Sequence, residues 1–276
     1  MSNPTDSFSQ RYGAAPSDLG PPPERWNAAL DLLLSHRSVR HYTNDPLPPG
    51  ALDAALAAAQ SASTSSNLQV WSVIAVEDAG RKQRLSAFAA NQAHVAKAPL
   101  VLVWLADLAR LRRLGEAADA ATDGLDYFEA FLLAATDAAL AAQNAMVAFE
   151  SLGLGGCYIG GIRNNAPAVA AELGLPDEVF ALFGMTVGVP DPARPAHVKP
   201  RLPPDVVLMR EQYQWGEDQR AGIDAFNDRL RTFQRATAMK EQDWTDLVTK
   251  RVRDQKALTG RHILRDFLNS IGFKLR

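Results

Sequence analysis

The chain has 276 residues, 29 Lys plus Arg against 31 Asp plus Glu, a net charge of −2 and 47% hydrophobic residues. That is room for one large domain or two small ones with a substantial core. The near-neutral balance speaks against a nucleic-acid or membrane-surface protein, and the lone cysteine, Cys157, excludes an intrachain disulfide or a cysteine metal site and suits a reducing cytoplasm.

Residues 1–25 are polar, rich in Ser, Pro and Gly, and lack an apolar run of signal-peptide type, so they read as a mobile extension. Trp26 to Ser35 has helical periodicity and ends in a basic turn, His36-Arg37-Ser38-Val39-Arg40. Gly50 to Ser61 reads as an alanine-rich helix, broken by the hydroxyl- and amide-rich turn Ser63-Thr64-Ser65-Ser66-Asn67. Val70 to Val76 reads as a strand and Arg81 to Ala89 as a short helix. Leu100 to Leu105 is an unbroken apolar run of strand length.

Tyr127 to Leu154 is a long Ala- and Leu-rich helix. It carries Glu129, Asp137 and Glu150, and a charge near a bilayer centre costs about 2.5–3.5 kcal/mol, so the expectation is a buried core helix and not a membrane span. Gly153-Leu154-Gly155-Gly156 stops it, and Cys157-Tyr158-Ile159 is a short strand closed by Gly160-Gly161. Ala166 to Leu173 reads as a helix and Phe180 to Val189 as a strand. Pro190 to Pro204 holds six prolines and must be irregular. Val206 to Tyr213 reads as extended, and Asp218 to Phe273 as two or three charged amphipathic helices. Few, short strands among helices favour an α+β fold. We take 26–276 as one domain, with 214–276 as its helical excursion.

Two basic clusters stand out: His36-Arg37-Ser38-x-Arg40 and Lys199-Pro200-Arg201. Arginine forks, a serine hydroxyl and a lysine charge are the donors a phosphate monoester needs, but solvated basic turns have the same composition. The hydroxyl turn at 63–69 can be a helix cap or a set of ligand donors. Gly160-Gly161 can be a simple turn or can let backbone approach a flat ligand. The glycines from Gly153 are not a dinucleotide loop: Tyr158 stands where the third glycine belongs, and a helix precedes them. There is no H-E-x-x-H, G-x-S-x-G or P-loop, so no metal site and no nucleophile elbow are expected. Cys157 reads as a buried structural thiol.

Taken jointly, His36-Arg37-Ser38-Val39-Arg40-x-Tyr42-Thr43, Ser63 to Gln69, Gln92-x-His94-Val95, Ala142-Gln143-Asn144-Ala145, Glu150 to Asn165, Phe183 to Gly188 and Lys199 to Pro203 resemble the nitroreductase superfamily. Within it they look like the branch of oxygen-insensitive nitroreductases and NADPH–flavin oxidoreductases. The resemblance implies a mostly antiparallel sheet flanked by helices, in an intertwined homodimer with Val206 to Tyr213 on the partner's sheet. It implies FMN held at the phosphate by His36, Arg37, Ser38, Arg40, Lys199 and Arg201, and along the ribityl chain and ring edge by Thr64, Ser65, Ser66 and Gln92. Tyr158, Ile159, Gly160 and Gly161 would line the ring.

Asn67, Arg163 and Asn164 would face nicotinamide or acceptor; Asn67 stands where a relative has a larger aromatic residue, so a more open, polar pocket is expected. Arg235 and Lys240 would face the 2′-phosphate of NADPH, the expected donor, although Glu241 beside Lys240 opposes an anion. The implied chemistry is ping-pong two-electron transfer from NAD(P)H to small-molecule acceptors such as nitroaromatics, quinones or flavins, with no catalytic side chain. A dedicated NADPH–flavin reductase supplying free reduced FMN, a flavin-binding protein without reductase activity, and a reductive dehalogenase-like activity are the alternatives.

Overall fold

The computed structural model describes residues 3–13 and 23–276. In chain order its elements are α1 (Pro4–Tyr12), α2 (Ala28–Leu34), α3 (Ala51–Gln60), β1 (Trp71–Val76), α4 (Ala79–Phe88), α5 (Ala93–Lys97) and β2 (Leu100–Asp107). Then come α6 (Ala109–Ala117), α7 (Phe128–Ser151), β3 (Gly155–Ile159), α8 (Ala166–Leu173) and β4 (Val179–Gly188). The chain closes with α9 (Pro204–Val207), α10 (Glu217–Ala236), α11 (Trp244–Val252) and α12 (Leu264–Ser270). Contacts divide it into two compact units. A helical unit comprises Met1–Arg37 and Ala196–Leu258, and a sheet unit comprises Ser38–Pro195 and Thr259–Arg276.

The sheet unit is built on β2. Its strands run in the order β1-β2-β4-β3, every pair antiparallel. The apolar run Leu100 to Leu105 does not alternate because both faces are covered. Leu100, Leu102 and Trp104 pack with Ala141, Met146 and Phe149 of α7, while Val101, Val103 and Leu105 pack with Leu85, Val95, Ile162 and Val169. Each fully buried side chain of this size contributes about 1.5–3 kcal/mol. A charge placed at Val103, at the strand's centre, would break the layer. Helix α7 has the length and composition to cross a membrane. Its Ala134, Ala138, Ala141 and Phe149 are buried in the protein core.

A bulge interrupts the β2–β4 ladder: Trp104 pairs with Phe183 but Leu105 with Ala181, so Leu182 is left over. Its carbonyl accepts instead from the Arg163 guanidinium. Helix α8 shows how sequence sets boundaries here. The Asn165 side chain accepts from Ala168 N–H, Pro167 stands in the first turn, and Gly174 ends the helix at φ +62°.

The C-terminus is clasped onto the start of α7. Asp126 is buried and accepts from Lys274 (2.8 Å) and Arg112 (3.0 Å), while Arg112 also holds Glu178 at 2.6 Å. The Lys274 hydrogen bond first, then Arg112, keeps the Asp126 carboxyl below its ordinary range against the effect of burial. Arg84 and Arg81 do the same to Glu172. Both folded-state values lie below the unfolded ones, so the stabilisation is present above the ordinary carboxylate range and is lost as pH falls through and below it. The melting temperature is expected to drop steeply below about pH 4, and Asp126→Asn to flatten that drop. An unchanged pH slope in thermal melts of the variant would contradict this.

Two sequence readings give way. Val206 to Tyr213 is not uniformly extended: Val206 and Val207 lie in the one-turn helix α9, closed by Leu208 N–H to the Pro204 carbonyl at 2.7 Å. Pro204 presets the first helical φ and outweighs the β-branched valines. Residues 4–12, read as part of a mobile extension, form helix α1 with Arg11 buried. The rest of that reading, at 1–2 and 14–22, lies outside the described residues. Helix α6, between β2 and α7, was not anticipated.

Candidate functional site

In the sheet unit the turn from Ser38 to Thr43 is stapled to the sheet end. Val39 N–H donates to the Gly156 carbonyl and Thr43 N–H to the Val189 carbonyl, both at 2.9 Å. Tyr42 OH donates to the Val39 carbonyl at 2.6 Å and shares a hydrogen bond with Thr186 Oγ1 at 2.8 Å. Burial raises the Tyr42 phenol, which stays a proton donor in this strut. A Cβ on Gly155 would lie 2.5 Å from Val39 Cγ2, which explains one glycine of the run without any ligand. Val39 is therefore buried while its neighbours Ser38 and Arg40 are exposed. Cys157 is buried beneath this turn, and burial above all raises its thiol, as a structural cysteine requires.

The hydroxyl turn is held by a residue far along the chain. The Asp137 carboxylate, buried on α7, accepts from Thr64 Oγ1 at 2.5 Å and from Ser65 N–H at 3.1 Å. Gln69 N–H in turn donates to Thr64 Oγ1 at 2.9 Å. Arg110 closes the far end, donating to the Gln69 carbonyl at 2.8 Å. Within this span Ser66, Asn67 and Gln69 have φ of +49°, +55° and +52°. Left-handed non-glycine backbone persists only where its surroundings impose it, and such strain gathers at functional sites.

Strand β3 runs into a 3-10 turn at Gly160–Asn165. Gly161 is packed against protein: a Cβ there would collide with Gln92 Nε2 and lie 3.2 Å from the Ala89 carbonyl oxygen. Gln92 Nε2 itself donates to that carbonyl at 2.9 Å. Gly160 differs, since nothing approaches its Cβ position closer than Arg163 at 3.6 Å and Arg261 at 3.9 Å. Tyr158 is partly exposed, edge-on to Phe183 at 5.6 Å, and its hydroxyl donates to Gln143 Oε1 at 3.3 Å. Ile159, by contrast, is buried in the core.

Of the three residues expected to face nicotinamide or acceptor, Asn67 lies in the hydroxyl turn, Arg163 reaches the Leu182 carbonyl and Asn164 Oδ1 accepts from Arg261 Nε at 2.9 Å. His94, beside Gln92, keeps a buried Nε2 with no hydrogen-bond partner among the described residues. Burial, then Arg40 and His41, lower its proton affinity.

In the helical unit the backbones of His36 and Lys199 are joined through Arg11. Helix α2, capped by the Asn27 side chain on Ala29 and Leu30 N–H, delivers the chain to His36 and Arg37. Arg11 of α1 donates to the carbonyls of Leu34 (2.6 Å), His36 (2.8 Å) and Lys199 (3.1 Å). Lys199 and Arg201 line a cavity of about 760 Å3 together with Arg11, Lys240, Met239 and Trp244. Arg235 lies outside that lining, 3.8 Å from Glu241.

These donors suit a flavin mononucleotide. Guanidinium forks and lysine match a phosphate, hydroxyls held in a fixed turn match a ribityl chain, and open space before the Gly160 backbone admits a flat ring. Sequence reasoning missed Arg11, Arg110 and Asp137. Only Asp137 left a trace there, as one of three acids on an alanine-rich helix.

The sequence model described as "Nitroreductase family" matches residues 33–189, and that described as "Nitroreductase family, C-terminal domain" matches 199–276. The chain is 36% identical over 251 residues to FMN reductase (NADPH) of Bacillus subtilis, covering 90% of this chain and 98% of that protein. It is 42% identical over 185 residues to the oxygen-insensitive NADPH nitroreductase of Salmonella typhimurium, covering 67% and 74%. Among solved structures, NADPH:FMN oxidoreductase from Vibrio harveyi complexed with NAD+ superposes with a TM-score of 0.80 at 35% identity, over 91% of this chain and 100% of that one.

Proposed function

Because the chain belongs to the nitroreductase family, we propose that it is an FMN-dependent NAD(P)H oxidoreductase acting on nitroaromatics, quinones or flavins. The observation that carries this reading is the joining of the His36 and Lys199 backbones, far apart in sequence, through Arg11, beside a cavity lined by Lys199, Arg201 and Lys240. FMN, when bound, supplies the two-electron redox chemistry. The protein's part is to bind and orient. His36, Arg37, Ser38, Arg40, Lys199 and Arg201 hold the phosphate, and Thr64, Ser65, Ser66 and Gln92 the ribityl chain and ring edge. Tyr158, Ile159, Gly160 and Gly161 line the ring. Asn67, Arg163 and Asn164 serve the nicotinamide or the acceptor.

NADPH is the proposed donor. Lys240 in the cationic cavity supports that choice, and Arg235 adds charge that Glu241 tempers. The expected result is a yellow protein that bleaches anaerobically with NADPH, with kcat/KM for NADPH above that for NADH. A colourless protein that takes up no FMN would overturn the function, and equal kcat/KM values the preference. The relative named FMN reductase (NADPH) supports a narrower second reading, in which free FMN is the main acceptor. Initial rates with FMN and with a nitroaromatic separate the two.

A homodimer is also proposed. Its support is large apolar side chains left exposed, Phe128, Leu132 and Leu140 on α7 and Val207, Leu208, Tyr213 and Trp215 along one segment. Sedimentation of the same preparation, followed at the flavin absorbance, should give twice the chain mass; a single-chain mass would refute the dimer. Residues 26–276 are proposed to act as one domain with 214–276 as its excursion. Release of a stable 214–276 fragment by limited proteolysis would contradict that. The free thiol Cys157 supports a cytoplasmic setting, which cell fractionation checks.

A further inference from the structure

Helix α1 lies outside both family matches, which begin at residues 33 and 199. It nevertheless ends inside the cation cluster. Arg11 is 8% exposed, so its guanidinium needs partners within the protein. Its N–H groups are satisfied by carbonyls from two distant stretches, Leu34 and His36 on one side and Lys199 on the other. The bond is returned, since Arg201 N–H donates to the Arg11 carbonyl at 2.9 Å. Gly13, left-handed at φ +59°, turns the chain directly after the helix, where a Cβ would sit 3.2 Å from Pro200.

We propose that Arg11 is a positioning residue for the flavin phosphate. It holds the His36-Arg37 turn and the Lys199-Pro200-Arg201 segment in one arrangement, so that the N-terminal helix raises affinity for the phosphate-bearing cofactor. The inference rests on the FMN reading above. Gathering several cations costs repulsion and ordering entropy, and a rigid scaffold that meets this cost before the ligand arrives increases affinity. Arg11 does so through the carbonyls of Leu34, His36 and Lys199, within or next to the two basic segments, and its own charge adds to the field.

The test compares FMN with riboflavin, which lacks the phosphate, by fluorescence titration of the full-length apoprotein and its Arg11→Met variant. The dissociation constant for FMN is expected to rise about tenfold, equal to about 1.4 kcal/mol, with that for riboflavin unchanged and Arg11→Lys recovering part of the loss. Unchanged FMN binding, or equal weakening of FMN and riboflavin, would overturn the proposal. If Arg11→Met is insoluble, the FMN-to-riboflavin comparison is made on Arg11→Gln, with Arg11→Lys expected to lose less. Insolubility of all three would assign Arg11 to folding alone and overturn it too. Failure of the unaltered protein to bind either flavin would instead strike the functional reading itself, which keeps the two failures apart.

Discussion

Asp137→Ala is expected to destabilise the protein by about 3 kcal/mol and to weaken FMN binding with it. The carboxylate is buried and takes one hydroxyl and one backbone N–H from the turn at Thr64 and Ser65. Hydrogen bonds to a charged acceptor are each worth about 1.5–3 kcal/mol, and Ser65 N–H would be left without its acceptor. The loss should not stay local. Ser66, Asn67 and Gln69 hold left-handed backbone that relaxes once its anchor is gone. Asp137→Asn keeps one acceptor oxygen and should lose less. Urea denaturation of the apoprotein and FMN titration check both effects. A stability change within about 0.5 kcal/mol, the scale of an ordinary surface substitution, together with unaltered FMN affinity, would remove Asp137 from this role.

Arg201→Ala should cut FMN affinity by about tenfold to a hundredfold while leaving thermal stability nearly unchanged. Arg201 is exposed, its guanidinium donates to the Lys199 carbonyl at 3.1 Å, and it lines the cationic cavity. One charge-assisted bond to phosphate is worth about 1.5–3 kcal/mol, and every 1.4 kcal/mol is tenfold. Arg201→Lys should recover only part, because an ammonium has no planar fork. Added salt should weaken FMN binding to the unaltered protein more than to Arg201→Ala. An alanine variant that binds FMN normally would place the phosphate elsewhere.

The strands were legible because their side chains carry the pattern themselves. The run from Leu100 to Leu105 announces a strand covered on both faces, and alternating packing on α7 and on the opposite layer is what the structure shows. The reading failed where one local preference met a stronger one: the valines of α9 suggested a strand, but Pro204 favours the first turn of a helix. Packing explains Gly155 through Val39, and a Cβ on Gly161 would meet Gln92 and Ala89, neighbours that depend on which segment approaches.

From the order of residues alone came the α+β class, the core strands, the buried long helix, and two basic clusters and a hydroxyl turn of the right chemistry for a phosphorylated flavin. Tertiary structure alone decided what holds those pieces. Asp137 anchors a turn 72 residues away, Arg11 binds carbonyls 25 and 188 residues along the chain from itself, and Arg163 satisfies the carbonyl freed by a bulge. The reason is physical. Periodicity and turn chemistry act between near neighbours and are written into local sequence, whereas a buried charge takes whatever acceptors the finished fold brings within about 3 Å.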